Sequence, residues 1–520
     1  MIAVLARQAR ALAPSWNDHF KSKIKFGETF AYALILIVAL VVRGAYLGDP
    51  APDYDEQLYQ FIGSRMLDGH LPYVDLWDRK PIGLFLLYAF ANLFGADVLP
   101  YQIMALLCAA AGGAMVYRLA VRFGDRVAGV VAASLYILGL SAFGAAIGQS
   151  EVFYLPIAIG MAMILLRCFE CDDLGIVVRL AALSMALGGI MLQLKYTAAP
   201  QCVFFGIASV WRLRQLGVRF PRLLGYASLF GAIGLLPTMA AGLAYASMGH
   251  LDAFVYANFT SIFARGHLTG PYEHMFKAKV ALMALPLVGV ALVAVVRRRQ
   301  ENGADEWGAY GLIACWTGAA AIGFLMIGNI YLHYFIPVLP GILVLAAPML
   351  GKDYGGAVVA PLLLTFFCFA ANISGASQVT RSDRSGISRA TAAARPYVTR
   401  EGQCLYVFDG PTALYRTTES CLPTAYVYPD HLSNSMEAAA IGVDPAAEVA
   451  RILAARPSVI VTASEPIVPR YNSATERLVD RAIELHYVRT ATIYYFQRYL
   501  FVNVRRDLVP KERSGRLPPT

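Results

Sequence analysis

The sequence predicts an α-helical polytopic membrane protein that carries a C-terminal α/β domain outside the bilayer. Three observations predict it. Hydrophobic residues fill 58% of the 520 positions and charged residues only 15%, where a soluble domain carries about a quarter. Apolar runs of spanning length recur between residues 30 and 374. Beyond about residue 375 the chain turns polar, with short β-like runs at 403–408 and 458–462, helical patterns at 445–455 and 474–485, and a Tyr-rich strand pair at 487–504. The net charge of +9 does not point to nucleic acid, because the cations fall mostly between apolar runs, as the positive-inside rule requires.

A spanning helix needs about 20 largely apolar residues. The runs that meet this are 30–47, 99–119, 127–147, 152–167, 177–194, 197–212, 222–246, 277–296, 308–328, 334–350 and 355–374, about 11 transmembrane helices. The connections holding Arg118/Arg122/Arg126, Arg167/Arg179, Arg212/Arg214/Arg219/Arg222 and Arg297/Arg298/Arg299 then share a side with the N-terminus, which makes that side the cytoplasm. Residues 1–29 carry Arg7, Arg10, Lys21, Lys23 and Lys25 without a small-residue cleavage site, and read as a cytoplasmic lead-in rather than a secretory signal. Domain boundaries follow: 1–29, a membrane unit at 30–375 with an external loop at 48–98, and an outer α/β domain at 376–520 that starts with a polar linker.

The external loop holds the densest polar stretch of the first half, residues 53–81. It contains Asp53, Asp55, Glu56, Asp68, Asp75 and Asp78 beside Arg65, Arg79 and Lys80. Leu58, Phe61, Ile62 and Met66 sit at helical spacing before Gly69, so 55–68 is expected to be a surface helix. The apolar run 81–95 has about 15 residues, short for a crossing. It is expected to lie along the outer interface.

The topology brings further ionisable residues to the same face: Glu151 at the start of one span, Lys195 at a tip between two others, and His333 at an outer mouth. Charges at membrane depth are costly and mark sites. Singly, each has an ordinary reading: a snorkelling lysine, a loop acid, an interfacial histidine. Together they supply cations for a phosphate and carboxylates for a sugar or a general base. Asp53-Tyr-Asp55 also spells D-x-D, a metal handle in some transferases, but three residues carry little weight. No cofactor is implied, and a divalent metal is not favoured. Cys168-x-x-Cys171 has no second pair to complete a zinc site. Cys404 and Cys421 are the only cysteines of the polar C-terminal region, a candidate disulfide in an oxidising compartment.

The run DEQLYQFIGSRMLDGHLPYVDLWDRKPIG, with Asp55-Glu56, Met66-Leu67-Asp68-Gly69, Pro72-Tyr73 and Lys80-Pro81, resembles the first external loop of a known superfamily. These are the dolichyl-phosphate-mannose–protein mannosyltransferases and aminoarabinose transferases, GT-C fold enzymes of family 39 type whose bacterial branch includes Rgt-like galacturonosyltransferases. Ile82 stands where the family has a second proline. YLHYFIPVLPGILVLAA at 331–347 is similar to a later family span, and Lys195 in QLKYTA to its lysine-bearing tip. The resemblance covers roughly 30–350 and fades beyond 380.

The resemblance implies an integral glycosyltransferase of the inner membrane. It would move a hexosyl or pentosyl group from a polyprenyl-phosphate donor to a lipid (lipopolysaccharide), glycan or protein acceptor on the periplasmic face. Asp55 would be the key carboxylate with Glu56 beside it. Lys80 and Lys195 would bind the donor phosphate. Asp53, Tyr59, Glu151, His333 and Tyr334 would contact substrate. The rival readings are a transporter or flippase of lipid-linked sugars, expected to show internal repeats that this chain lacks, and a glycan polymerase or ligase.

Overall fold

In a computed structural model, the described residues are 26–302, 308–352, 355–398, 402–468 and 470–510. Most of the expected N-terminal segment 1–29 lies outside them. Among the described residues nine helices are long and apolar enough to cross a membrane, from Gly27–Tyr46 to Gly356–Tyr397. The remaining two expected spans coincide with helices Arg126–Ala142 and Ala199–Gln215, each of 17 residues, the short end of the spanning range. The chain is a multi-pass membrane protein.

Helix starts follow local chemistry. Asp125 and Asp173 each accept a backbone N–H three residues on, from Ala128 and Ile176, at 2.8 Å, satisfying donors that an uncapped helix leaves free. Small residues let the spans approach: a Cβ on Gly189 would meet the Gly234 carbonyl oxygen at 2.7 Å. In lipid such close backbone packing replaces the hydrophobic drive between helices.

The external loop folds into two helices. Tyr54–Leu67 ends at Gly69, whose φ of +90° closes the turn. Ile82–Asn92 has 11 residues, about 16 Å of helix, too short to cross. The two cross so closely at Gly63 that a Cβ there would meet the Ala89 nitrogen at 2.7 Å. One expectation needs correcting here. Tyr54–Leu67 is not a surface helix: Glu56 to Gly63 are all buried. The C-terminal domain covers it, with the Ala413 N–H donating to Gln57 Oε1 at 3.2 Å and the Tyr415 ring 5.9 Å from that of Phe61.

The expected polar linker is also corrected. Residues Ile373–Ala394 form a helix that follows the last apolar one. Ala376, Thr380, Asp383, Ile387, Ala390 and Ala394 are buried, a stripe at helical spacing that small and polar side chains conceal from a hydropathy scan. This helix grips the start of the external loop, where Thr380 donates to the Ala45 carbonyl at 2.9 Å and Arg384 to the Gly48 carbonyl at 3.0 Å.

The C-terminal domain is built on a four-stranded sheet in the order β1 (Leu405–Val407), β2 (Val459–Ala463), β4 (Arg498–Arg505), β3 (Tyr487–Tyr495). β1 and β2 are parallel, with Leu405 beside Val459. β4 runs antiparallel to both of its neighbours. Helices Pro445–Ala454 and Ser473–His486 complete the layer. Cys404 and Cys421 form a disulfide at the entry to β1.

Candidate active site

The site is assembled at the start of helix Tyr54–Leu67. Asp53 is the cap: extended backbone at φ −152° lets its Oδ1 accept the Asp55 N–H at 2.9 Å and the Gln149 side-chain amide at 2.8 Å. Two residues further, Asp55 lies in the first turn, where the helix dipole favours an anion. Its Oδ2 accepts the Tyr59 hydroxyl at 3.0 Å, one turn along the helix, and faces Lys80 Nζ at 3.7 Å. Its Oδ1 accepts the Tyr428 hydroxyl at 3.2 Å.

The environment separates these two acids. Burial, reinforced by Asp55, pushes the Asp53 carboxyl up to about 7. Burial acts on Asp55 as well, yet Lys80, His333, the Tyr59 hydroxyl and Lys195 outweigh it and hold Asp55 well below the usual carboxylate range. Asp55 is the charged member.

Lys80 is placed by the turn before helix Ile82–Asn92. The Tyr73 hydroxyl donates to the Lys80 carbonyl at 2.7 Å, and the Lys80 ammonium lies 5.0 Å from the Tyr59 ring centre. Asp55 and Asp78 raise its pKa against the effect of burial. Asp78 is itself buried, and its Oδ2 has no protein partner among the described residues.

Beside this pair lies a second one. Lys195 makes an ion pair with Glu151, at 8% and 0% side-chain exposure, and sits 4.9 Å from the Tyr334 ring centre. His333 packs edge-on to Tyr334 at 4.4 Å and lies in the field of Glu151, Lys195, Asp55 and Lys80. Glu151, Thr197, Phe324, Ile327, Tyr334 and Pro337 line a small cavity there. The structure therefore brings Asp55, Lys80, Tyr59, Glu151, Lys195, His333 and Tyr334 together, with Asp53 as the cap behind them.

It does not bring Glu56 there. That side chain is 1% exposed, accepts the Gly148 N–H and neighbours Asp53, Arg43 and Asp49. Burial, then Asp53, raises its carboxyl well above the ordinary value.

Three residues of this neighbourhood lay outside the sequence reading. Tyr428 reaches Asp55 from the C-terminal domain. Glu437, 2% exposed, forms ion pairs with both Arg79 and Arg265. Arg265 alone carried a signal, as a cation in an external loop; Tyr428 and Glu437 sit in a polar region without motif. Among the described residues no group of three or more His, Cys, Asp and Glu side chains converges in a way that could hold a metal ion.

No protein-family model and no curated protein sequence matches the chain. Solved structures do. ArnT from Cupriavidus metallidurans bound to undecaprenyl phosphate aligns with a TM-score of 0.61 at 14% identity, over 93% of this chain and 99% of that one. The same enzyme in the apo state gives 0.61 at 12% identity over the same shares. The Archaeoglobus fulgidus oligosaccharyltransferase tethered to an acceptor peptide gives 0.49 at 11% identity, over 93% of this chain and 75% of that one. The fold is that of ArnT, the GT-C fold, and the likeness runs through the C-terminal domain.

Proposed function

We propose that the protein is a glycosyltransferase of the bacterial inner membrane, moving a hexosyl or pentosyl group from a polyprenyl-phosphate donor to a lipid, glycan or protein acceptor at the periplasmic face. The observation that carries this reading is the Asp55–Lys80 pair. A carboxylate held charged and an ammonium stand 3.7 Å apart, both about a quarter exposed, at one end of a membrane fold. Support comes from the second cation–carboxylate pair beside it and from the ArnT-like fold, one structure of which holds undecaprenyl phosphate.

The chemistry follows from the pair. An acceptor hydroxyl attacks the anomeric carbon, its proton passes to Asp55, and the bond from that carbon to the phosphate oxygen breaks with inversion. The lipid phosphate leaves against Lys80, with Lys195 behind it. Asp55 paired with Lys80 is a weak base, since basicity falls with pKa. A donor phosphate that draws the Lys80 ammonium towards itself raises the basicity of Asp55 when a base is needed. With a phosphate acceptor no proton moves, and Asp55 orients the nucleophile.

The test is Asp55→Asn in a deletion strain, with mass spectrometry of envelope lipids and glycans. The deletion removes a sugar increment, and the variant inserts normally yet restores that increment about 10²–10⁴-fold more slowly, the usual contribution of a positioned acid or base. Full restoration would remove Asp55 from the chemistry. Build-up of the lipid-linked sugar on the cytoplasmic side would mark a flippase instead.

A further inference from the structure

The C-terminal domain does more than cover the external loops. Tyr428 lies in the extended backbone just before the short helix Pro429–Ser433, and its hydroxyl donates to Asp55 Oδ1 across 373 residues of sequence. A carboxylate offers about four lone-pair positions. Oδ2 is taken by Tyr59 and faced by Lys80, whereas among the described residues Tyr428 is the only side-chain donor on Oδ1. The position left open for a substrate proton is thus on the oxygen that Tyr428 holds.

The segment carrying Tyr428 is pinned on both sides. The Trp77 N–H donates to the Ala425 carbonyl at 3.0 Å, and the Gly266 N–H to the Met436 carbonyl at 2.8 Å. His431 packs edge-on to Trp77 at 4.6 Å. Glu437 ties Arg79 of the first external loop to Arg265 of a later one, the latter through Nε at 2.6 Å. A carboxylate buried between two guanidinium groups is costly to unseat, because removing one partner leaves uncompensated charge.

We infer that Tyr428 is a positioning residue of the transfer reaction, aiming the free lone pair of Asp55, and that the Arg79–Glu437–Arg265 bridge is what seats it there. The inference rests on the transferase reading above. The groups facing Asp55 include Lys80 and Tyr59 beside it, Asp53 on its own turn, Asp78 from the loop, His333 and Lys195 from the membrane unit, and Tyr428, Asp430 and His431 from the C-terminal domain. Burial, then Asp55 and Asp430, raises the Tyr428 hydroxyl well above its ordinary value, so it stays a donor at every pH where the protein works.

The experiment uses membranes of the deletion strain carrying the full-length protein, with their own donor and acceptor. The initial rate of the sugar increment is followed from acid to neutral pH and normalised to protein that elutes as a single species in detergent. Tyr428→Phe keeps the ring and removes one hydrogen bond to a charged group. The rate falls about 10- to 100-fold, and the acid limb of the pH profile, where Asp55 takes up a proton, moves to higher pH. Glu437→Gln slows transfer in the same way, and the double variant is no slower than the slower single one, since both act through one contact. A parental rate in Tyr428→Phe, or a slower rate with an unmoved acid limb, overturns the inference. If Asp55→Asn is inactive while Tyr428→Phe is normal, only this inference fails; an active Asp55→Asn takes the transferase assignment of Asp55 with it.

Discussion

Two lysine–carboxylate pairs stand side by side in this protein and are built differently. Lys195 and Glu151 are sealed at 8% and 0% side-chain exposure. Lys80 and Asp55 remain at 23% and 24%, their charged atoms 3.7 Å apart, with two tyrosine hydroxyls on the carboxylate. A sealed pair has no room to exchange partners, and its members depend on each other for solvation. A looser pair at the rim can trade its partner for a substrate group. On the proposed transferase reading, the inner pair shapes the site and the outer pair takes part in the reaction.

The largest expected effect comes from breaking the inner pair. Lys195→Met strands a buried Glu151 and costs about 3–5 kcal/mol, read as loss of thermal stability in detergent. Adding Glu151→Leu recovers most of it, because two apolar side chains replace the pair. If the single variant is as stable as the parent, the two charges are not mutually dependent and the contrast dissolves.

Breaking the outer pair spares stability and strikes the rate. Lys80→Met leaves Asp55 partly exposed with both hydroxyl donors. Transfer slows about 10²–10³-fold, the usual loss when one preorganised charge partner is removed from a transition state. Without the ammonium Asp55 takes up a proton at higher pH, so the acid limb of the profile shifts upward. A slower enzyme with an unshifted limb would show that Lys80 acts on substrate without setting the charge of Asp55.

The flanking acid Asp53 sharpens the comparison through pH. Its folded value, pushed up to about 7 by burial and Asp55, exceeds its ordinary 3.8. An acid raised by folding contributes stability that is whole below the unfolded value and is lost as pH rises through the folded one. Stability therefore declines between about pH 4 and pH 7 on account of Asp53, while Asp55, lowered by folding, loses its contribution only as pH falls into the acid range. Asp53→Asn flattens the decline and keeps the cap, since asparagine caps as well as aspartate. An unchanged slope would mean that Asp53 ionises as freely folded as unfolded.

What the sequence made legible depended on range. Apolar length revealed the spans, and the short run at 81–95 separated itself from them by length alone. The polar loop and its resemblance singled out Asp55 and Lys80, whose contact is 25 residues apart in sequence. The helix Ile373–Ala394 escaped because its buried stripe is mostly small or polar, with alanine, threonine and aspartate around a single isoleucine, and polar residues fill the turns between. Tyr428 and Glu437 escaped because nothing local marks them: each acquires its role only when the C-terminal domain lands on the external loops.

Glu56 gives the smallest effect and the cleanest contrast. The pattern of the loop makes it the partner of Asp55, yet adjacent residues on a helix point about 100° apart, and the turn that aims Asp55 at Lys80 aims Glu56 into packing at 1% exposure. Burial and Asp53 raise its carboxyl well above the ordinary value, and in its neutral form it differs from glutamine by little more than one N–H. Glu56→Gln keeps an oxygen for the Gly148 N–H and changes stability by about 1 kcal/mol or less, the net worth of a neutral hydrogen bond, with transfer near the parental rate. A loss comparable to that of Asp55→Asn would place a charge on Glu56 in the working enzyme, and the pair of acids rather than Asp55 alone would then be the catalytic unit.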